Sequence, residues 1–171
     1  SFTGMVMIFS MKTFEKIFSE QLHKSSCLSI SWSPHDPEII CTAGEDNQCH
    51  IFNIKDRKIN TTITVQNKFK KVQWSRKEKT IAISCNDGSL YVRMEGGAYQ
   101  IIKGSANAPL FDVAWSPFHS NWIACTDDEG GVLIFDTEEQ TCRRAVEHKD
   151  KARPVLWSET IDYLLISGGW D

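Results

Sequence analysis

Three short clusters in this chain hold the residue types that chemistry uses. Asp127-Asp128-Glu129 offers adjacent carboxylates of the kind that grip a hard cation. His148-Lys149-Asp150 brings together an imidazole, an amine and a carboxylate, the materials of acid–base work, and Cys49-His50 joins two zinc donors. None has the spacing that its chemistry requires. The acidic triplet falls in a turn between two β-like runs, where such residues form solvated Asx turns. The His-Lys-Asp run lacks the spacing and the second copy of a phospholipase motif, so His148 reads as a structural histidine whose ring bonds a buried partner. Neighbours in a strand point to opposite faces, so residues 49 and 50 cannot close on one metal ion. The chain contains no G-x-S-x-G, P-loop or G-x-G-x-x-G motif. The expectation is a protein with no catalytic residues, no metal and no cofactor, and therefore not an enzyme.

Composition narrows the remaining classes. The chain has 171 residues, 41% hydrophobic and 24% charged, enough to build a core and unlike a disordered segment. A formal net charge of −3 argues against a protein whose main task is neutralising a phosphate backbone. Six cysteines sit mostly within apolar runs and form no C-x-x-C pair, as reduced core thiols do, which points to a cytoplasmic protein. The sequon Asn60-Thr61-Thr62 points weakly the other way, toward secretion. No signal peptide accompanies it, since the apolar run from Met5 to Phe9 is too short for one. The longest apolar runs also fall well below the ~20 residues a membrane span needs, so membrane insertion is not expected.

Organisation is legible from four tryptophans. Trp32, Trp74, Trp115 and Trp157 occur in "SWSP", "QWSR", "AWSP" and "LWSE" at spacings of 42, 41 and 42 residues. Each ends an alternating apolar stretch and is followed by a second β-like run, "EIICTAG", "TIAISC", "NWIACT" or "YLLISG". An acidic or Asn/Gly turn and a third strand come next, "CHIFNI", "SLYVRM" or "GVLIFD". A more polar fourth strand closes each unit, "INTTITV", "AYQIIKG" or "TCRRAVE". Four short strands in ~42 residues is the spacing of a β-propeller blade.

On these residues the whole chain resembles the WD40 family. The resemblance implies an all-β propeller segment of three complete four-stranded blades and two half blades, with boundaries at 1–22, 23–66, 67–104, 105–147 and 148–171. It further implies a hydrogen-bonded set of His, Ser or Thr, Asp and an aromatic residue in each blade. Carried over, the first full blade supplies His23, Thr42 and Asp46 with Phe52 in the aromatic position, and the last supplies His148, Ser167 and Asp171. The middle blades depart from that pattern, having Ile83, Asp87 and Arg93 in one and Cys125, Glu129 and Phe135 in the other. They must rely more on apolar packing between sheets. The blades around "NDGSLYVRMEGG" and "DYLLISGGWD" also resemble the WD repeat-containing protein seventeen group. Its members are large two-propeller proteins followed by helical repeats, similar to coat and ciliary-transport scaffolds, which would add a cilium or cytoskeleton association.

A half blade leaves unpaired backbone groups along an edge. Three coverings are expected as alternatives: further blades of a longer propeller, pairing of the two halves into a ring, or a second copy. Members of the family commonly hold peptides on the rim where first strands begin. Counting back from the marker tryptophans puts Lys68, Lys70, Phe111, Lys151 and Arg153 there, with Trp170 in the neighbouring turn. Aromatic and Arg side chains are the types that dominate binding hot spots. The reading is a protein-interaction scaffold whose rim takes an acidic or phosphorylated segment with an apolar anchor. The alternative is a nucleic-acid or ribonucleoprotein-associated propeller using basic clusters at 68–71 and 143–153, although overall acidity makes nucleic acid the less favoured partner.

Overall fold

The computed structural model describes residues 2–171, and its regular elements are sixteen strands and one short 3-10 turn, Glu95–Gly97. The first sheet has two strands, β1 (Met5–Phe9) and β2 (Lys16–Gln21). Next come β3 (Cys27–Trp32), β4 (Ile39–Gly44), β5 (Gln48–Asn53) and β6 (Lys58–Thr64). The third sheet holds β7 (Phe69–Trp74), β8 (Ile81–Cys85), β9 (Ser89–Arg93) and β10 (Tyr99–Lys103). The fourth holds β11 (Leu110–Trp115), β12 (Trp122–Asp127), β13 (Gly131–Asp136) and β14 (Thr141–Glu147). A two-stranded sheet of β15 (Ala152–Trp157) and β16 (Leu165–Gly169) completes the order. Every sheet is an antiparallel meander in chain order, as the alternating runs and turn residues require. This is the all-β partial propeller that the sequence predicts.

Repetition extends to backbone conformation. The turn between second and third strands needs a left-handed residue, and it falls on Asn47 (φ 61°), Gly88 (φ 77°) and Gly130 (φ 86°), with Gly4 (φ 70°) in the same place before β1. Any Cβ at Gly130 would collide with the backbone carbonyl of His148, so the position needs glycine for space as well as for φ.

Alternation sends each strand's apolar residues to both faces, because both are covered. The face of the second sheet carrying Cys41, Cys49 and Ile51 packs on Phe69, Trp74 and Ile83 of the third. The far face of the third, with Ala82, Leu90 and Val92, packs on Leu110, Ile123 and Phe135 of the fourth. Burying one such large side chain contributes roughly 1.5–3 kcal/mol, so these layers dominate cohesion. The marker tryptophans help to hold the sheets in series. The indole of Trp115 donates to the Gln73 carbonyl (3.2 Å) and that of Trp157 to the Ala114 carbonyl (3.0 Å), each reaching back one sheet. Inner strands are also tied by side chains, since Ser31 Oγ, Gln73 Oε1 and Asp112 Oδ2 accept the N–H groups of Trp74, Trp115 and Val155 at 3.0, 3.0 and 3.1 Å. The repeat spacing is thus also the spacing of the bonds between sheets.

All six cysteines are free thiols, four of them buried, with Cys41 and Cys49 Sγ atoms 3.3 Å apart. Burial pushes the thiol of Cys142 up to about 11. Among the described residues no helix is long and apolar enough to cross a membrane.

Candidate partner-binding rim

The residues expected to bond one another at the rim of the second sheet meet there. His23, buried before β3, places Nδ1 3.0 Å from Asp46 Oδ1 and Nε2 2.9 Å from Thr42 Oγ1, while the Lys24 N–H donates to Asp46 Oδ2 (2.9 Å). The last sheet repeats the arrangement, with His148 Nδ1 3.0 Å from Asp171 Oδ1 and Nε2 2.9 Å from Ser167 Oγ. Phe52, 3% exposed, lies against Phe18 of the first sheet, ring centroids 5.5 Å apart, and makes no polar bond.

Sequence reasoning missed His50. Its register partner is Thr42, so it shares a face with the His23 set: its ring lies 4.7 Å from that of His23 and its Nδ1 3.0 Å from Thr62 Oγ1. Potential ligand atoms of His23, Asp46 and His50 lie within 4.8 Å of one another. Both ring nitrogens of His23 are already engaged, as is His50 Nδ1, which makes the group a satisfied hydrogen-bond network.

This network predicts a pH response. Burial, and then the neighbouring His23, lower the pKa of His50. At Asp46 burial raises the pKa, but hydrogen bonds from the Lys24 N–H and His23 outweigh it and hold the carboxyl below its usual range. Both groups are depressed in the fold, so the unfolded chain takes up protons first as pH falls. Stability should decline from about pH 6.5 as unfolded histidine protonates, and again below about pH 4 as unfolded carboxylates do. Urea titrations across pH check this, and His50→Gln should remove the upper step alone.

The middle sheets are pinned differently. Asp87 is held by Asn67 Nδ2 (2.9 Å) and Lys103 Nζ (3.1 Å). In the fourth sheet Glu129, at the register of Asp46, is exposed, and Asp127 takes over. Asp127 is 0% exposed, contrary to the solvated turn expected from its triplet. Its Oδ1 accepts the N–H groups of Glu129 (3.0 Å) and Gly131 (2.6 Å), and its Oδ2 takes Arg144 Nη2 (3.0 Å). Asx bonding was legible, whereas burial was not. A side chain at Gly131 would strike Asp127 and Arg144, and this glycine was the available signal.

The six residues placed on the binding rim divide. Arg153 lies between two aromatic rings, its guanidinium carbon 4.2 Å from the centroid of Phe111 and 4.8 Å from that of Trp170. Lys151 Nζ stands 5.5 Å from the same Trp170 ring. These contacts are cation–π pairs, each worth about 0.5–2 kcal/mol. Lys70 joins Arg153 and Phe111 around an open cavity of about 400 Å³, along with Leu28, Glu45 and Pro154, which the sequence argument did not assign to binding. Lys68 is exposed and does not line it. The cavity collects the starts of β3, β7, β11 and β15, so four sheets position it.

Charge there is partly spent. Arg153 Nη1 donates to Asp128 Oδ1, and Lys71 Nζ lies 3.4 Å from Asp112 Oδ1. Among the described residues Lys70 has no carboxylate at ion-pair distance, so it is the cation available to a visitor. Phe111 is 42% exposed and Trp170 65%, so their outer surfaces remain free.

Residues 3–77, which span β1 to β7, match the family model of the Anaphase-promoting complex subunit 4 WD40 domain. Residues 3–77 are thus similar to a WD40 domain, and antiparallel sheets packed in series and tied by repeating tryptophans make the fold a partial β-propeller.

Proposed function

We propose that the chain is a non-catalytic interaction scaffold. Its rim cavity takes a partner segment that presents an apolar side chain to Leu28, Phe111 and Pro154 and an acidic group to Lys70. The observation supporting this most is Arg153 clamped between Phe111 and Trp170. A stacked, ion-paired arginine with aromatic walls is a rigid surface, and rigid aromatic surfaces lose little entropy on binding. On this reading His23, Thr42, Asp46, His148, Ser167 and Asp171 hold the turns that frame the rim. The blade divisions at 22/23, 66/67, 104/105 and 147/148 are part of the proposal. So is the resemblance to two-propeller transport scaffolds, and with it a cytoplasmic or ciliary setting within a multiprotein complex. The free strand edges of the two-stranded sheets call for a covering strand, from further blades or a second copy.

Pairing of the basic residues argues against the nucleic-acid reading. Arg144 is bonded to Asp127 and Glu147, Arg153 to Asp128 and Lys71 to Asp112, so three of the cluster cations already have carboxylate partners, and the formal net charge of −3 adds to that. Fluorescence anisotropy with short peptides that combine an aromatic and one or two acidic residues tests the proposal. Phe111→Ala and Lys70→Glu should each weaken binding about tenfold, consistent with loss of a hot-spot contact. Unchanged affinity in both variants would refute it. So would tighter binding of a single-stranded oligonucleotide whose affinity falls steeply with salt.

A further inference from the structure

Arg93 stands where the two sister sheets carry phenylalanine. Register pairs Arg93 with Ile81, as it pairs Phe52 with Ile40 and Phe135 with Ile123. Phe135 is 0% exposed and fills the space toward the preceding sheet. At the corresponding place between the second and third sheets there is instead a cavity of about 350 Å³, lined by Ile39 and Ile51 from one side and Trp74 and Arg93 from the other, with exposed Lys79 and Glu95 also on its wall.

Two of the residues lining it carry a buried donor with no acceptor, Trp74 Nε1 and Arg93 Nε. Trp74 is only 9% exposed. The contrast with its repeats is informative, since the indoles of Trp32, Trp115 and Trp157 each donate to a backbone carbonyl. An unsatisfied buried donor costs about 1–3 kcal/mol, and two such donors on neighbouring residues of one cavity mark a place where an acceptor belongs. No carboxylate of the described residues pairs with Arg93. Glu95 is held by Lys79 at 3.1 Å, and Asp36 Oδ1 accepts the Glu38 N–H at 2.9 Å.

We propose that this cavity binds a carboxylate with a compact apolar body and a second oxygen acceptor. The carboxylate takes the side-on N–H groups of Arg93, whose planar fork suits it. The second oxygen takes the Trp74 indole N–H, and the body lies on Ile39 and Ile51. A free small acid and the terminal residue of a partner peptide share this chemistry. The site is distinct from the rim cavity and does not rest on the reading given for it.

The test follows the indole N–H signals of the six tryptophans by nuclear magnetic resonance, with Trp74 assigned from Trp74→Phe. The probes are N-acetylphenylalanine, its neutral amide, and a short peptide ending in free phenylalanine. The acid should shift the Trp74 signal saturably while the amide does not. Arg93→Gln should weaken binding about tenfold, the loss of one charge-assisted pair. Arg93→Phe should abolish it while the other indole signals keep their dispersion. Binding of the peptide but not the free acid also supports the site and assigns its source to a partner's terminus. No shift with either carboxylate, equal binding of the amide, or unchanged affinity in Arg93→Gln would overturn it.

Discussion

Phe135→Ala should destabilise the chain by about 4 kcal/mol, within the range for emptying a buried aromatic site. Phe135 has no exposed surface and closes the gap between the third and fourth sheets against Leu90, Val92 and Ile123. The surrounding strands are fixed by their own ladders and cannot collapse into the void. At the same register one sheet earlier, Arg93→Phe should act in the opposite sense. It removes a buried donor without a partner and sets an apolar ring against Ile39 and Ile51 on the cavity wall, and gains of this type are on the order of 1 kcal/mol. Urea unfolding with unchanged m-values checks both. A cost below about 1 kcal/mol for Phe135→Ala, far under the usual range, would mean that the sheets do not bury these faces against one another.

Asp127→Ala should cost about 3 kcal/mol, the lower end for breaking a buried ion pair. The loss has two sources. Arg144, with a quarter of its side chain exposed, keeps its charge without its buried partner, and the N–H groups of Glu129 and Gly131 lose their acceptor. Partial exposure of the arginine is why the lower end applies. Arg144→Met combined with Asp127→Ala should cost less than the two single changes added together, because the buried Asp127 charge that Arg144→Met alone would leave without its partner is gone. Additive losses would assign Asp127 to backbone bonding alone.

Strand order and sheet count were legible because the signals are local: period-two alternation, turn residues and a tryptophan recurring every 41 or 42 positions. Turns were placed correctly for the same reason. What escaped depends on neighbours across sheets. His50 was weighed only as a zinc donor beside Cys49, and its contact with His23 exists only because register puts it opposite Thr42. Asp127 looked solvated because it opens an acidic triplet between two β-like runs, yet strand pleating turns it inward onto Arg144, while 128 and 129 are at least partly exposed. At the rim, the residue types named from spacing include Phe111, Arg153 and Trp170, which stack together. Counting could not show that Asp128 already pairs with Arg153, nor that Pro154 helps to wall the cavity. Arg93 was visible as an odd residue at an aromatic position, but the cavity beside it was not.

Site-specific photo-crosslinking tests the binding rim most directly. Benzoyl-phenylalanine replaces Phe111 on the rim or, as a control on the opposite rim, exposed Glu138 in the loop between β13 and β14. The expected result is a discrete protein adduct from position 111, lost in Lys70→Glu and absent from position 138. Adducts only from position 138, or adducts to nucleic acid from position 111, would contradict the claim that this rim holds a partner protein.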